Sequence, residues 1–298
     1  MLNAINWKDE YFVSKDRICL TGRELQIPGL RLFATHNIQN AIFPLSPHYH
    51  ENAFEFSYIS KGSMSFYVNG KEFTVSGGDV FVSFPNEVHS TNDVPISLNQ
   101  QYWIQVDVSD PKHFLFLAED TAASLIKGLY SIDSYIVHTA SSPIRMGQMI
   151  ENAFNLCMQG QNQLLAACHL SIFLQALVDV SQSNTHGTVP PDIQAALAYI
   201  DEHIGEELEL DEIAQVCHLS TSQFKQKFRR VIGSAPRDYI NRKKIERAKK
   251  LLLDGRSITD VAMDLSFASS SYFSSVFKKY TLQSPREYLK RASLGEKL

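Results

Sequence analysis

Two stretches in the last third of the chain share one pattern: Ile213 to Arg229 reads IAQVCHLSTSQFKQKFR, and Val261 to Lys278 reads VAMDLSFASSSYFSSVFK. In the first, Ile213 and Ala214 precede a turn at His218-Leu219-Ser220, and Phe224 and Phe228 follow four residues apart. In the second, Val261 and Ala262 take the places of Ile213 and Ala214, Ser266-Phe267 make the turn, and Phe273 and Phe277 repeat the pair. The step from Ala to the first Phe is ten residues in one copy and eleven in the other. Two helices crossing steeply through a short turn need a small residue where their backbones approach, and the alanines supply it. Each second helix then buries one face and leaves the other for a major groove. The outward positions are Thr221, Ser222, Lys225, Gln226 and Arg229 on one helix, and Ser269, Ser270, Ser271, Ser274, Ser275 and Lys278 on the other. These are hydroxyl, amide and cationic groups of the kind that reach phosphates and base edges.

Charge follows the same division. Residues 220–298 hold 18 Lys and Arg against 7 Asp and Glu, a net of +11, while residues 1–219 hold 10 against 25, a net of −15. The overall −4 conceals the split. A basic region that coincides with a helical repeat is the electrostatic footprint of a module that binds duplex DNA, whereas a charge run alone is usually only a solvated face.

Residues 192–292 resemble the DNA-binding domain of the AraC/XylS family. The resemblance is carried by the linking helix from Tyr239-Ile240 through Arg247-Ala248 to Leu251-Leu252, by Ile258-Thr259-Asp260-Val261-Ala262, by Ser271-Tyr272-Phe273, by Phe277-Lys278-Lys279 and by Ser284-Pro285-Arg286-Glu287-Tyr288. Three positions depart from the family pattern: Ser266 and Leu282 stand where Gly is usual, and Ser275 where Arg is frequent.

At 298 residues, 44% hydrophobic, the chain is long enough for two domains that each bury a core. No apolar run is read as reaching the ~20 residues of a membrane span, and no signal-peptide pattern opens the chain, so membrane association is not expected and a cytoplasmic location is. Cys19, Cys157, Cys168 and Cys217 are widely spaced, which suits reduced thiols rather than a disulfide framework or zinc knuckle.

The first 27 residues have no strong period and fit either an arm or an opening strand. From Leu30 short aromatic and β-branched runs predict strands over 30–34, 54–60, 63–68, 71–75, 80–84 and 101–108. Asn69-Gly70 between two of them is a type I′ hairpin signal. Strands without intervening helices predict an antiparallel barrel or jelly roll. Within it, His48, His50, Glu55 and Gly62, followed by Gly78-Asp79, Pro85, His89 and Asn92, resemble the two sequence motifs of the cupin family. That resemblance implies three imidazoles and a carboxylate meeting inside the barrel, a set that suits Zn, Fe, Mn or Ni, or else a metal-free polar ligand pocket. Trp103 lies where sugar-sensing family members stack an aromatic ring on a pyranose, although a lone strand Trp is more often core.

After Pro111 the period turns helical over 114–130, 144–158 and 164–180, with Gly160 between the last two. Residues 181–191, with Ser, Asn, Thr, Gly and Pro-Pro, read as a linker. The expected organisation is therefore two-domain α+β: a cupin-like effector-binding barrel over 1–110, a helical dimerisation or packing segment over 111–181, a linker over 182–191, and an all-α double helix-turn-helix over 192–292. The expected function is a sequence-specific DNA-binding transcription regulator acting as a homodimer, with double-stranded DNA and a small-molecule effector, first a sugar, as partners, and RNA polymerase as a further one. His48, His50, Glu55, His89 and Trp103 are the effector-pocket candidates; no catalytic residue and no required cofactor is assigned. Two alternatives stand beside it: a metal-dependent cupin enzyme fused to a DNA-binding domain, with His48, His50, Glu55 and His89 on the metal, and a ligand-independent dimeric regulator.

Overall fold

A computed structural model describes residues 14–92, 94–183 and 189–294; residues 1–13 and the centre of the expected linker, 184–188, lie outside the described residues. Eight strands, all paired antiparallel, form one sheet: β1 (Arg17–Thr21), β2 (Leu30–Ile38), β3 (Ala53–Val68), β4 (Lys71–Ser76), β5 (Asp79–Ser83), β6 (His89–Ser90), β7 (Asn99–Asp107) and β8 (Ile136–His138). The order is β1-β2-β7-β3-β5-β8, with β4 and β6 also on β3, so the strand path runs from β1 at one edge to β8 at the other. The opening segment is thus a strand where it is described, over β1.

The two strands expected at 54–60 and 63–68 are one strand, β3, which changes partners midway. Its first half pairs with β7 and β5, and its second half with β4 and β6. The register slips between Ile59 and Lys61, and Gly62 follows at φ +80°, where a Cβ would stand 2.4 Å from the Leu98 carbonyl oxygen. Glycine is required there for both the left-handed backbone and the close approach. The hairpin at Asn69 (φ +50°) and Gly70 (φ +80°) has both central residues left-handed, as a type I′ turn demands.

Both faces of β3 are covered, which is why its first seven residues are buried without alternation. Phe54, Phe56 and Tyr58 face the helices that follow the sheet, α2 (Glu119–Tyr130), α3 (Met146–Met158) and α4 (Gln163–Gln182), and share one core with Phe33, Ile104, Leu129, Phe154 and Phe173. Truncating any one of these aromatic side chains would cost about 3–5 kcal/mol. The expected helical segment is therefore the second layer of the sheet domain. Its first helix is shorter than its period suggested, because 114–116 form a 3-10 turn containing left-handed Leu115 and Phe116. α4 is long and apolar enough by composition to span a membrane, contrary to the sequence reading; eight of its side chains lie buried in this core.

The C-terminal part is all helical: α5 (Pro191–Glu202), α6 (Leu210–Val216), α7 (Thr221–Ile232), α8 (Pro236–Leu253), α9 (Ile258–Asp264), α10 (Ser270–Thr281) and α11 (Pro285–Ser293), with a four-residue α1 (Gly22–Leu25) back in the sheet domain. Phe224 and Phe228 sit in one core with Ile213 and Ala214, and Phe273 and Phe277 in a second with Val261 and Ala262. Ser220, Ser257, Ser269 and Ser284 cap α7, α9, α10 and α11 by accepting a backbone N–H.

Candidate functional site

The sheet face away from the helices encloses a cavity of about 970 Å³. Period-two geometry builds its floor. On β7, Tyr102, Ile104 and Val106 point to the helical core, so Gln101, Trp103 and Gln105 point to the cavity. Across the ladders Gln101 faces His36, Trp103 faces Ala34 and Ser57, and Gln105 faces Glu55. The remaining wall is largely apolar, from Ile38, Ile42, Phe43, Leu45, Met64, Phe66 and Ile96. Arg17 on β1 stands with its guanidinium 5.2 Å from the Trp103 ring centroid, a cation–π distance.

Of the expected pocket residues, His48, Glu55 and Trp103 line the cavity. His50 and His89 are buried beside Glu55: His50 Nε2 is 3.1 Å and His89 Nε2 3.7 Å from its carboxylate oxygens. His48 and His50, two apart in the sequence, do not share a strand. His48 forms an isolated bridge with His89, and His50 lies in no strand. The rings nevertheless gather, with centroids 4.2 Å apart for His48 and His89 and 5.1 Å for His48 and His50. Gln105 Nε2 donates to Glu55 at 3.0 Å, and His48 Nδ1 donates to the Ser46 carbonyl at 2.8 Å. His36, Ser57, Gln101 and Gln105 are lining residues that the motif reading missed. The alternation of Gln101, Trp103 and Gln105 was the signal available for the strand; His36 carries none without the β2–β7 register.

Burial opposes charge on Glu55, but the His50 and His89 imidazoles outweigh it and hold the carboxyl well below the usual carboxylate range. Burial and then the charge of His89 push His48 down to about 4, and burial and then Arg17 push His36 down to about 4. The cavity therefore presents the neutral imidazoles of His36 and His48 and the amides of Gln101 and Gln105 around one buried carboxylate, able to accept and donate to several hydroxyls at once. One apolar wall and one aromatic face complete it. As a cation site, His48, His50 and His89 offer one ligand atom each, all within 4.8 Å of one another, and His89 Nε2 has no hydrogen-bond partner among the described residues. The donor set thus suits a borderline divalent cation, while the Glu55 carboxylate is already engaged by His50 and Gln105.

On the helical side, Ser222, Lys225, Gln226 and Arg229 of α7 are exposed along one face, as are Ser271, Ser275 and Lys278 of α10. Of the other expected positions, Ser270 is half-buried and three have engaged side chains. Thr221 is half-buried and its Oγ1 donates to Asp211, Ser269 caps α10, and Ser274, also half-buried, donates to the Ser270 carbonyl. Ser275 donates back to the Ser271 carbonyl. Tyr272, which helps carry the family resemblance, is also exposed on α10, although it is not among the outward positions the sequence predicts. The turn residues His218 and Ser266 both take positive φ (+54° and +49°), and Leu282 closes α10 at φ +69° where Gly233 closes α7 at +74°. Non-glycine residues thus occupy left-handed positions in both copies, at a strain of about 1 kcal/mol each. Buried Lys244 of α8 joins the two halves, donating to the Glu206 carbonyl at 3.0 Å and the Leu265 carbonyl at 2.7 Å.

Comparison with known proteins divides the chain the same way. A family model described as an AraC-like ligand binding domain matches residues 34–126, and one described as a helix-turn-helix domain matches residues 213–291. The HTH-type transcriptional activator RhaS of Shigella dysenteriae serotype 1 is 24% identical over 277 residues, covering 88% of this chain and 95% of that protein. RhaS of Escherichia coli O139:H28 is 25% identical over 252 residues, covering 81% and 86%. Among solved structures, a transcriptional regulator with an AraC-type DNA-binding domain from Chromobacterium violaceum is 27% identical over 34% of this chain and 91% of that one, with a TM-score of 0.32. ToxT from Vibrio cholerae is 15% identical over 93% and 98%, with a TM-score of 0.34.

Proposed function

The chain belongs to the AraC/XylS family of transcription regulators, a ligand-binding domain joined to a DNA-binding helix-turn-helix domain rather than an enzyme, and on that premise we propose that it is switched by a small polyhydroxylated molecule, first a sugar, held in the sheet cavity. The row Gln101, Trp103, Gln105 carries this reading, because it sets an aromatic face between two amides, with His36, Ser57 and Glu55 across the ladders. A pyranose has matching chemistry: a C–H face for the indole and a rim of hydroxyls for the amides, imidazoles and carboxylate. In this proposal Ser222, Lys225, Gln226 and Arg229 on α7, with Ser271, Ser275 and Lys278 on α10, meet double-stranded DNA, each helix in its own major groove. Thr221, Ser269, Ser270 and Ser274 then support those helices.

Two copies act together in this proposal. The support is an exposed apolar stripe on α4, Leu164 (63% exposed), Leu165 (48%) and Ile172 (43%), with exposed Cys168 between them. Desolvating such a stripe favours association with a second copy. RNA polymerase as a partner and a cytoplasmic location follow from the regulatory role and are part of the same proposal.

The histidine cluster serves here as a polar wall without a resident cation, since Glu55 is satisfied by protein donors. Purified protein should carry less than about 0.1 divalent ion per chain; near-stoichiometric metal would replace this reading with a metal-dependent one. The decisive experiment on the effector is a thermal-shift panel of neutral sugars. A ligand that binds only the folded state must raise Tm, and Trp103→Ala should abolish the shift. If no sugar raises Tm, or if the shift survives Trp103→Ala, the sugar reading fails and the ligand-independent regulator takes its place.

A further inference from the structure

The sheet cavity is larger than a sugar and changes character along its length. At about 970 Å³ it lies at the upper end of the ~300–1,000 Å³ that enclose drug-sized ligands, several times what one pyranose fills. Strand β3 lines it twice. Before the slip in register at Ile59 and Lys61 it contributes Glu55 and Ser57, and after it Met64. Polar groups thus serve one part of the cavity and apolar groups the other.

The apolar part continues in Ala41-Ile42-Phe43-Pro44-Leu45, five consecutive residues without a polar side-chain atom, all lining the cavity. This run is held in place at both ends. Ile42 exchanges both backbone hydrogen bonds with Ile96, at 3.1 and 3.0 Å, and His48 does the same with His89, at 3.0 and 2.9 Å. Yet Phe43 is 84% exposed, and Ile42, Pro44 and Leu45 are only half-buried, so the run keeps apolar surface that no described residue covers. A single exposed hydrophobic side chain is ordinary, whereas consecutive ones on the rim of a ligand cavity form a binding surface.

A second sugar ring is a poor occupant for this surface. Its hydroxyls would leave water for side chains that neither donate nor accept, and the backbone is largely spent: Ile42 on Ile96, Leu45 N on Thr91 Oγ1, and the Leu45 carbonyl on Thr91 N. An alkyl or aryl group gives up no hydrogen bond there and gains burial. Resting on the reading that a sugar ring lies on Trp103, we propose that the effector is an amphiphilic glycoside. The sugar sits on the row Gln101, Trp103, Gln105, an apolar aglycone runs along Ile42 to Leu45, and Phe43 selects for it.

The test is calorimetric titration of the intact chain with the methyl and hexyl glycosides of glucose, galactose, mannose and xylose, alongside hexanol, maltose and lactose. A fully buried methylene is worth about fourfold in affinity, so five added methylenes, half-buried along this wall, should make a hexyl glycoside about thirtyfold tighter than the methyl glycoside of the same sugar. Phe43→Ser, at a position outside the packed core, should cut the hexyl-to-methyl ratio at least about threefold, and Phe43→Leu should keep most of it. Trp103→Ala should weaken methyl and hexyl glycosides together and preserve the ratio. Equal affinity of methyl and hexyl glycosides, a disaccharide as tight as the hexyl glycoside, or a ratio untouched by Phe43→Ser overturns the apolar subsite and leaves the sugar reading standing. Hexanol as tight as the hexyl glycosides overturns the sugar reading and the glycoside with it, and so does a chain that binds no glycoside.

Discussion

Gly77 to Ala is the sharpest perturbation of the docked arrangement of the sheet domain and the DNA-binding domain. Gly77 sits in the turn between β4 and β5, and it is not among the residues of positive φ, so alanine fits its own backbone without strain. The new Cβ would instead stand 2.4 Å from the Gly233 carbonyl oxygen and 2.5 Å from its Cα. Both are backbone atoms at the end of α7, and Gly233 is held there by its own bond to the Arg229 carbonyl. Restoring ordinary contact takes a separation of about 1 Å, which stretches a neighbouring 2.9 Å Gly62–Gly233 bond beyond hydrogen-bond range. The docked surface comprises three hydrogen bonds among the described residues, Gly62 N to the Gly233 carbonyl, Ala41 N to the Lys279 carbonyl and Arg242 to Ser63 Oγ, at about 1 kcal/mol each net, and the half-buried Leu98 contact with the core around Phe273, at about 1 kcal/mol. Loss of docking therefore removes up to about 4 kcal/mol of coupling between the domains. Amide exchange on the full chain reads it directly: Gly62 and Ala41 should lose protection in Gly77→Ala by up to two to three orders of magnitude, at about 1.4 kcal/mol per factor of ten. Strand amides such as those of Phe56 and Ile104 should keep theirs. Gly22→Ala, whose Cβ would meet nothing closer than 4.0 Å, is the control. If Gly62 and Ala41 exchange as slowly in Gly77→Ala as in the wild type, the docking reasoning is wrong.

Further outcomes follow from the same geometry. Lys225→Ala should lower the slope of log affinity against log salt by about 1 without changing sequence preference, while Gln226→Ala should relax preference at one base position by about 1–3 kcal/mol; mobility shifts across salt and a mutated operator panel read both. Lys244→Met strands the Glu206 and Leu265 carbonyls and should destabilise the DNA-binding domain by about 2 kcal/mol in urea unfolding. His36 is held neutral, at about 4 against an ordinary 6.5, so the unfolded chain takes up its proton first as pH falls. Its contribution is full above pH 6.5 and drains away toward pH 4 at up to about 1.4 kcal/mol per pH unit, and His36→Gln should flatten the stability profile by that slope. Ile172→Glu should shift sedimentation of the protein from dimer to monomer with Tm little changed, because the side chain is outward on α4.

What could be read from the chain alone was what local periodicity encodes. The i, i+4 pairs Phe224/Phe228 and Phe273/Phe277 are buried as their spacing requires, and Asn69-Gly70 makes its hairpin, because both depend on contacts within a few residues. Lys61-Gly62 looks like a turn between two strands; only the exchange of partners, from β7 and β5 to β4 and β6, shows that β3 continues through a bulge. The pocket was half visible. His48, Glu55 and Trp103 carried motif signals, but His36, Ser57 and Gln105 enter through cross-strand register, which no local pattern specifies. The cleft between the sheet domain and the DNA-binding domain left no trace in the sequence, since its walls come from residues as far apart as Lys61 and Lys279.

Where regulation can act is narrowed by what holds the two DNA-binding helices together. α8 runs between the two helix-turn-helix units, its Ile240 in the first core and its Ile245 and Ala248 in the second, and Lys244 ties it to a carbonyl on each side. Changing the spacing of α7 and α10 within one chain would break both bonds and repack both cores, far more than the few kcal/mol a small effector supplies through differential affinity. An effector therefore has to move the DNA-binding domain as a unit. The structure offers one short path for that. Residues 37–40 form a wall of the sheet cavity on one side and of the interdomain cleft on the other, and Ala41, next in the chain, donates to the Lys279 carbonyl in the last turn of α10. A ligand that orders or displaces this strip changes the docking contact without touching the helix-turn-helix fold, so effector binding and interdomain docking must be thermodynamically linked. Reciprocity then requires that Gly77→Ala, which acts only at the docking surface, change effector affinity by the same factor by which effector changes docking.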